Sequence, residues 1–167
     1  MTIAETTEFT FARTFDAPRA LVWKAWTSAD ALGQWWGPKG SEMRVIAFDL
    51  RPGGMFHYAM AFQGNEMFGR FIYREVSAPD RLVYVSSFSD AAGGITRAPF
   101  PQLEGKWPLE ILNIMTLTEE GGRTTVTLRG GPVNATEDER AMFESMTASM
   151  QQGFGGAFDK LDEYLRR

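Results

Sequence analysis

The C-terminal segment constrains the fold most. Residues 136–167 contain no proline, and Phe143, Met146, Met150, Phe154, Ala157, Leu161 and Leu165 recur in steps of three or four. That spacing puts all seven on one stripe of an α-helix. Thr136 followed by Glu139 has the capping-box spacing and marks the start. At about 1.5 Å per residue a continuous helix here would run roughly 45 Å. A long helix with one apolar stripe needs an apolar surface to lie on, and the rest of the chain reads mostly as strands. A curved antiparallel sheet wrapped around the helix supplies that surface. Such an arrangement can leave a hollow between the two.

The bulk properties narrow the class. A chain of 167 residues, 44% hydrophobic and 23% charged, has enough apolar side chains for a substantial core and fits one domain over 1–167. A net charge of −4 disfavours a nucleic-acid partner, which normally meets a basic face. With no cysteine, disulfides, thiol catalysis and cysteine-ligated metals are out. Residues 1–10 lack the basic-then-apolar layout of a signal peptide, and no apolar window is long enough to span a bilayer, so a cytoplasmic protein is expected. The 13 Phe, 5 Trp and 9 Met suit either a core or an adaptable pocket.

Along the chain, 5–15 alternates as a strand, with Phe9, Phe11, Arg13 and Phe15 on one parity. Pro18 suits the first turn of a short helix over 18–26, and Ser28 can cap a second one reaching Trp36. Strands are predicted over 41–50, 55–62, 67–76 and 82–88, then a hairpin of 109–118 and 124–130. In 55–62 the residues Phe56, Tyr58, Met60 and Phe62 share a face that should point inward. In 41–50 and 67–76 both faces mix apolar and charged residues, so the inward face is undecided there. Residues 89–107, with Gly93, Gly94, Pro99, Pro101 and Gly105, lose all regularity, and a loop this long in a compact domain is usually functional or mobile.

Reactive constellations are scarce. His57 is the only histidine, and with Phe56 and Tyr58 inward it should face outward and be exposed, so it makes neither a triad nor a metal site. No acidic loop has the spacing of a cation site, and Glu137, Asp138 and Glu139 fit a helix N-terminus interacting with the macrodipole. Phosphate-cradling loops and nucleophile elbows are absent, no cofactor is implied, and no catalytic residue is assigned. Glu66, Glu75 and Glu110 lie in or near strands. If one turned into an apolar hollow it could serve as an acid or base, though orienting a ligand or pairing with Arg70, Arg74 or Arg129 is the simpler role. Asp49, Arg51 and the following Pro-Gly-Gly read as a turn whose carboxylate is held locally. Trp35 and Trp36 are adjacent and so point apart, one into the core and one toward a cavity mouth. Gly153, Gly155 and Gly156 sit mid-helix, where each costs about 1 kcal/mol relative to alanine. Close approach of the helix, or room for a ligand beside Met142, Met146 and Met150, would offset this.

Six strings resemble a known family in order: Ala17-Pro18-Arg19 leading into Val22-Trp23-Lys24-Ala25-Trp26; Gln34-Trp35-Trp36-Gly37-Pro38; Asp49-Leu50-Arg51-Pro52-Gly53-Gly54; Pro79-Asp80-Arg81-Leu82-Val83-Tyr84; Ser87-Phe88-Ser89-Asp90; and Gln152-Gly153-Phe154-Gly155-Gly156. Spanning roughly 9–165, they are similar to the START-related SRPBCC superfamily, and within it to bacterial single-domain proteins like the C-terminal domain of the activator of heat-shock-protein-90 ATPase. Phe154 stands where that family usually has tryptophan. The resemblance implies an α+β helix-grip fold. A curved antiparallel sheet of about seven strands would wrap a long C-terminal helix, with two short helices after the first strand and a cavity between helix and sheet. It implies no single reaction.

The leading expectation is a binding protein for a small, largely apolar molecule. The expected wall is Trp35, Trp36, Phe56, Tyr58, Met60, Phe71, Tyr84, Phe88, Met146, Met150 and Phe154, with 89–107 as a lid. An enzyme of the polyketide cyclase or aromatase kind is the alternative, and needs an inward acid or base. A co-chaperone module is a third reading. It is weakened because the chain lacks the additional N-terminal domain of complete co-chaperones. An edge strand or the aromatic mouth could also support a homodimer.

Overall fold

A computed structural model describes residues 8–167. The alternating segments form one seven-stranded, wholly antiparallel sheet in the order β1-β7-β6-β5-β4-β3-β2. The strands are β1 (Phe9–Phe15), β2 (Glu42–Phe48), β3 (Met55–Phe62), β4 (Asn65–Ser77), β5 (Arg81–Ser89), β6 (Ile111–Glu120) and β7 (Arg123–Pro132). Sequence alternation starts the first strand at Glu5, but residues 5–7 lie outside the described residues, as does most of the 1–10 segment read for a signal peptide. Two short helices, α1 (Arg19–Thr27) and α2 (Ala29–Trp35), follow β1. Ser28 caps the second by accepting from the Ala31 N–H.

The C-terminal segment departs from one unbroken helix. It divides at Met146 into α3 (Glu137–Ser145) and α4 (Thr147–Leu165). The capping box at Thr136 and Glu139 is in place. The break has a local cause: Ser145 Oγ donates to the Met142 carbonyl (2.7 Å) and Thr147 Oγ1 to the Glu144 carbonyl (2.8 Å). Side chains thereby bond the carbonyls at the junction, a pattern that bends helices. The 19 residues of α4 span about 28 Å.

Two β-bulges settle the undecided strands. The β2–β3 register shifts between Val45 and Ala47, and the β4–β5 register between Tyr73 and Glu75. Met43, Val45 and Phe48 pack on the core while Ile46 is exposed; in β4, Phe71 and Tyr73 are buried in it. Each extra residue moves the apolar side chains from one parity to the other, so neither face reads cleanly.

The core is densest where α1, α2 and the C-terminal half of α4 meet the sheet. Trp26, Trp35, Phe15 and Phe158 are fully buried there, and Trp35 Nε1 donates to the Ala25 carbonyl (2.8 Å). Asp159 ties α4 to the sheet edge, accepting from Arg13 Nη1 (2.7 Å) and Lys39 Nζ (3.2 Å). The Asp49–Gly54 segment is a turn. Arg51 Nε bonds both Asp49 oxygens (3.0 and 2.8 Å), and a Cβ on Gly54 would stand 2.0 Å from the Asp49 carbonyl, so only glycine fits.

His57 corrects an expectation. It lies on the convex face as its parity requires, yet it is only 4% exposed. The chain after β5 folds back over it: His57 Nε2 donates to the Asp90 carbonyl (3.2 Å), and Arg70 Nη1 donates to the Gly93 carbonyl (2.9 Å). The Asp90 carboxylate holds this turn by accepting from the Gly94 and Ala92 N–H groups (both 2.9 Å). Those bonds, led by Gly94, keep its pKa below the ordinary value. No helix among the described residues is long and apolar enough to cross a membrane.

Candidate functional site

Burial along the helical stripe is uneven. Ala157, Phe158 and Leu161 are buried against the sheet, whereas Met146, Met150 and Phe154 are only half-buried. The N-terminal half of α4 stands off the sheet, and the gap beneath it holds two adjoining chambers. The outer chamber is about 430 Å³ and the inner about 190 Å³. Both are bordered by Trp36, Tyr58, Phe88, Trp107, Met150 and Phe154. The outer volume alone lies within the range of small-molecule pockets.

Strand parity builds the inner floor. The register places Phe71 opposite Ser86 and Asn113 opposite both Tyr84 and Gly130, and all five face the inner chamber. Tyr84 stacks on Phe71 with ring centroids 4.1 Å apart. Phe9, stacked on Phe154 (5.6 Å), closes one side, and Phe143 and Met150 form part of the roof. Met60, Phe62 and Met67 face the outer chamber from the β3–β4 hairpin, and the 89–107 loop contributes Phe100, Gln102, Leu103 and Trp107. Gly69 lets Tyr58 lie flat across β4, since a Cβ there would fall 2.4 Å from Tyr58 Oη.

The loop that forms this outer wall is fastened at two places. Its start is held over His57 and Arg70. Further on, Arg97 Nη1 donates to the Trp107 carbonyl (3.1 Å) and pairs with Glu139 Oε2 at the beginning of α3. The Arg97 hydrogen bond, followed by the bond from the Thr136 N–H, pulls the Glu139 pKa below the usual carboxylate value.

The wall disfavours charge. Among the described residues, no aspartate, glutamate, histidine, lysine or arginine lines either chamber. Burial raises the Tyr58 pKa, partly offset by a hydrogen bond from the Trp36 side chain. Burial also lifts Tyr84 well above the ordinary phenol value, with Tyr73 and Tyr58 adding to the effect. Glu66, Glu75 and Glu110 all lie away from the hollow, where Glu66 pairs with Arg44 (3.7 Å) and Glu75 with Arg81 (3.1 Å), rather than with Arg70, Arg74 or Arg129. No group of metal-ligating side chains occurs among the described residues.

Of the residues expected in the wall, Trp36, Tyr58, Met60, Phe71, Tyr84, Phe88, Met146, Met150 and Phe154 border one chamber or both. Trp35 and Phe56 do not. Trp35 packs in the core with Trp26 (4.9 Å), and Phe56 lies behind Phe71 and Tyr58 (5.1 and 5.0 Å). Sequence reasoning missed Asn113, Ser86, Trp107 and Phe143. Asn113 carries a signal, because it shares parity with the apolar Met115 and Leu117.

The sequence profile described as Activator of Hsp90 ATPase homolog 1-like protein matches residues 16–166. The chain belongs to that family. Its sheet around a C-terminal helix is the helix-grip arrangement of the START-related superfamily. Similar solved structures include protein Ms6760 from Mycobacterium smegmatis, with 24% identity, TM-score 0.76, and coverage of 96% of this chain and 91% of that one. A protein from Arthrobacter aurescens shows 24% identity, TM-score 0.78, and 99% and 90% coverage. More distantly, DynU16, described as a putative protein in the dynemicin biosynthetic locus, is 21% identical with TM-score 0.65; the match covers 95% of this chain and 47% of that one. No curated protein matches the chain. At these identities the structural matches establish the fold, while the family assignment rests on the profile.

Proposed function

We propose that this protein binds a small, neutral, largely apolar molecule in the hollow between α4 and the sheet. The observation that carries the reading is the composition of the wall: mostly aromatic rings, methionines and other apolar groups, with no ionisable group among the described residues except phenols held protonated by burial. Affinity would come from removing apolar ligand surface from water, at about 25 cal/mol per Å² before ordering costs. The methionines of the outer chamber give an adaptable surface. The described residues of the wall supply no carboxylate or imidazole to start acid–base chemistry, so burial is favoured over a cyclase-like reaction. The 89–107 loop, fastened through Arg97 and over His57, would serve as the lid.

Titration with N-phenyl-1-naphthylamine, a neutral fluorophore, tests the reading. Saturable, blue-shifted emission with a dissociation constant on the order of micromolar is expected. Tryptophan emission should change with it, because Trp36 and Trp107 line the site. Absence of saturable binding in protein shown to be folded would refute it.

A further inference from the structure

The inner floor contains one polar arrangement that the apolar reading leaves unexplained. Asn113 is only 8% exposed and stands on the concave face of β6, an inner strand of the sheet. Its Nδ2 donates to Ser86 Oγ (2.9 Å) and to the Ile111 carbonyl (2.9 Å). A carbonyl can only accept, so the amide orientation is fixed, and both Nδ2 hydrogens are used. Asn113 Oδ1 accepts no hydrogen bond from the described residues and, rather than being sealed in the core, keeps accessible surface toward the chamber. It faces the space over Gly130, where a Cβ would stand 3.0 Å away. Ser86 Oγ, engaged as an acceptor, still has its own O–H to give. Both residues, and Gly130, border the inner chamber.

Resting on the binding reading above, we infer that this floor selects ligands carrying a neutral hydroxyl on a ring, a phenol or enol. Such a group donates to Asn113 Oδ1 and accepts from Ser86 Oγ–H. A ligand without a donor strips water from Oδ1 and gives nothing in return, and sites built to bond a hydroxyl reject analogues that lack it. An anionic head is excluded by the same floor, since no cation among the described residues lines the chamber to compensate its desolvation. The apolar body of the ligand then extends past Phe88 and Met150 into the outer chamber.

Displacement of N-phenyl-1-naphthylamine by 2-naphthol, 2-methoxynaphthalene and 2-naphthoate tests this. The wild-type protein should bind 2-naphthol at least tenfold more tightly than 2-methoxynaphthalene, and 2-naphthoate should not compete. Asn113→Leu should bring the first two within about twofold while retaining 2-methoxynaphthalene. Should that variant fail to fold, Ser86→Ala should reduce the preference about threefold. Equal affinities in the wild type, or a preference that survives the variants, overturns the inference while leaving apolar binding intact. Failure of every naphthalene and of the fluorophore itself overturns both.

Discussion

Three glycines in one helix should respond differently to the same substitution. Gly153, Gly155 and Gly156 all lie within α4, where alanine in place of glycine is worth about 0.5–1 kcal/mol. A Cβ added at Gly153 or Gly155 meets nothing within 4 Å, whereas at Gly156 it comes 3.3 Å from both Lys39 Cβ and the Lys39 backbone nitrogen. Gly153→Ala and Gly155→Ala should therefore realise the full gain, which for a chain of this size raises the midpoint by about 1–4 °C. Gly156→Ala must push away the turn before β2, and should be neutral or destabilising. Only Gly153 borders the outer chamber. Gly153→Leu, with a good helix former, should keep the stability gain yet weaken N-phenyl-1-naphthylamine at least tenfold, while Gly155→Ala leaves binding unchanged. Thermal unfolding followed by circular dichroism, together with the fluorescence titration, measures both effects. Equal stabilisation by all three alanines would refute the close-approach argument at Gly156. Unchanged affinity in Gly153→Leu would refute the claim that this glycine keeps the mouth open.

Three further predictions concern the frame around the site. Glu139 both completes the α3 capping box and holds Arg97, so Glu139→Ala should cost about 1–2 kcal/mol in urea unfolding and loosen the 89–107 loop toward proteolysis. Its pKa is lower in the folded state than in the unfolded chain, so its contribution is complete above the unfolded value. That contribution disappears as pH falls through the folded one; between neutrality and about pH 3 the stability of Glu139→Gln should fall less steeply than that of the wild type. Trp35→Phe removes the donor to the Ala25 carbonyl and should cost about 1–3 kcal/mol, without altering fluorophore affinity because Trp35 lies outside the wall.

Much of the fold is legible in the sequence because period-2 and period-3.6 patterns are local properties. Residues 55–62, with Phe56, Tyr58 and Met60, give β3 as found, and Ser28 and Thr136 mark helix starts that are present. Legibility fails where a local rule meets a tertiary one. The extra residues near Ile46 and Arg74 scramble parity, and no composition signal announces a bulge there. His57 obeys its parity and is still buried, because a loop more than thirty residues later returns over it. The stripe from Phe143 to Leu165 keeps its spacing across the break at Met146, so periodicity cannot reveal that break; Ser145 and Thr147, free to bond backwards, are the only local hint. The site is legible in its aromatic part for the same reason the strands are. Its polar floor depends on the register of β5, β6 and β7, which brings Ser86, Asn113 and Gly130 side by side from three separate segments.

Methionine methyl NMR tests the central claim most directly, because the methyl groups sample both the hollow and the packed core. Met60, Met67, Met146 and Met150 border the outer chamber, whereas Met115 is fully buried in the core and Met55 lies on the convex side beneath Gly93. Titration with N-phenyl-1-naphthylamine should shift the first four saturably and together, leaving Met115 and Met55 in place. Shifts confined to Met55 or Met115, or no shift in any methyl of the folded protein, would contradict a hollow that admits a guest.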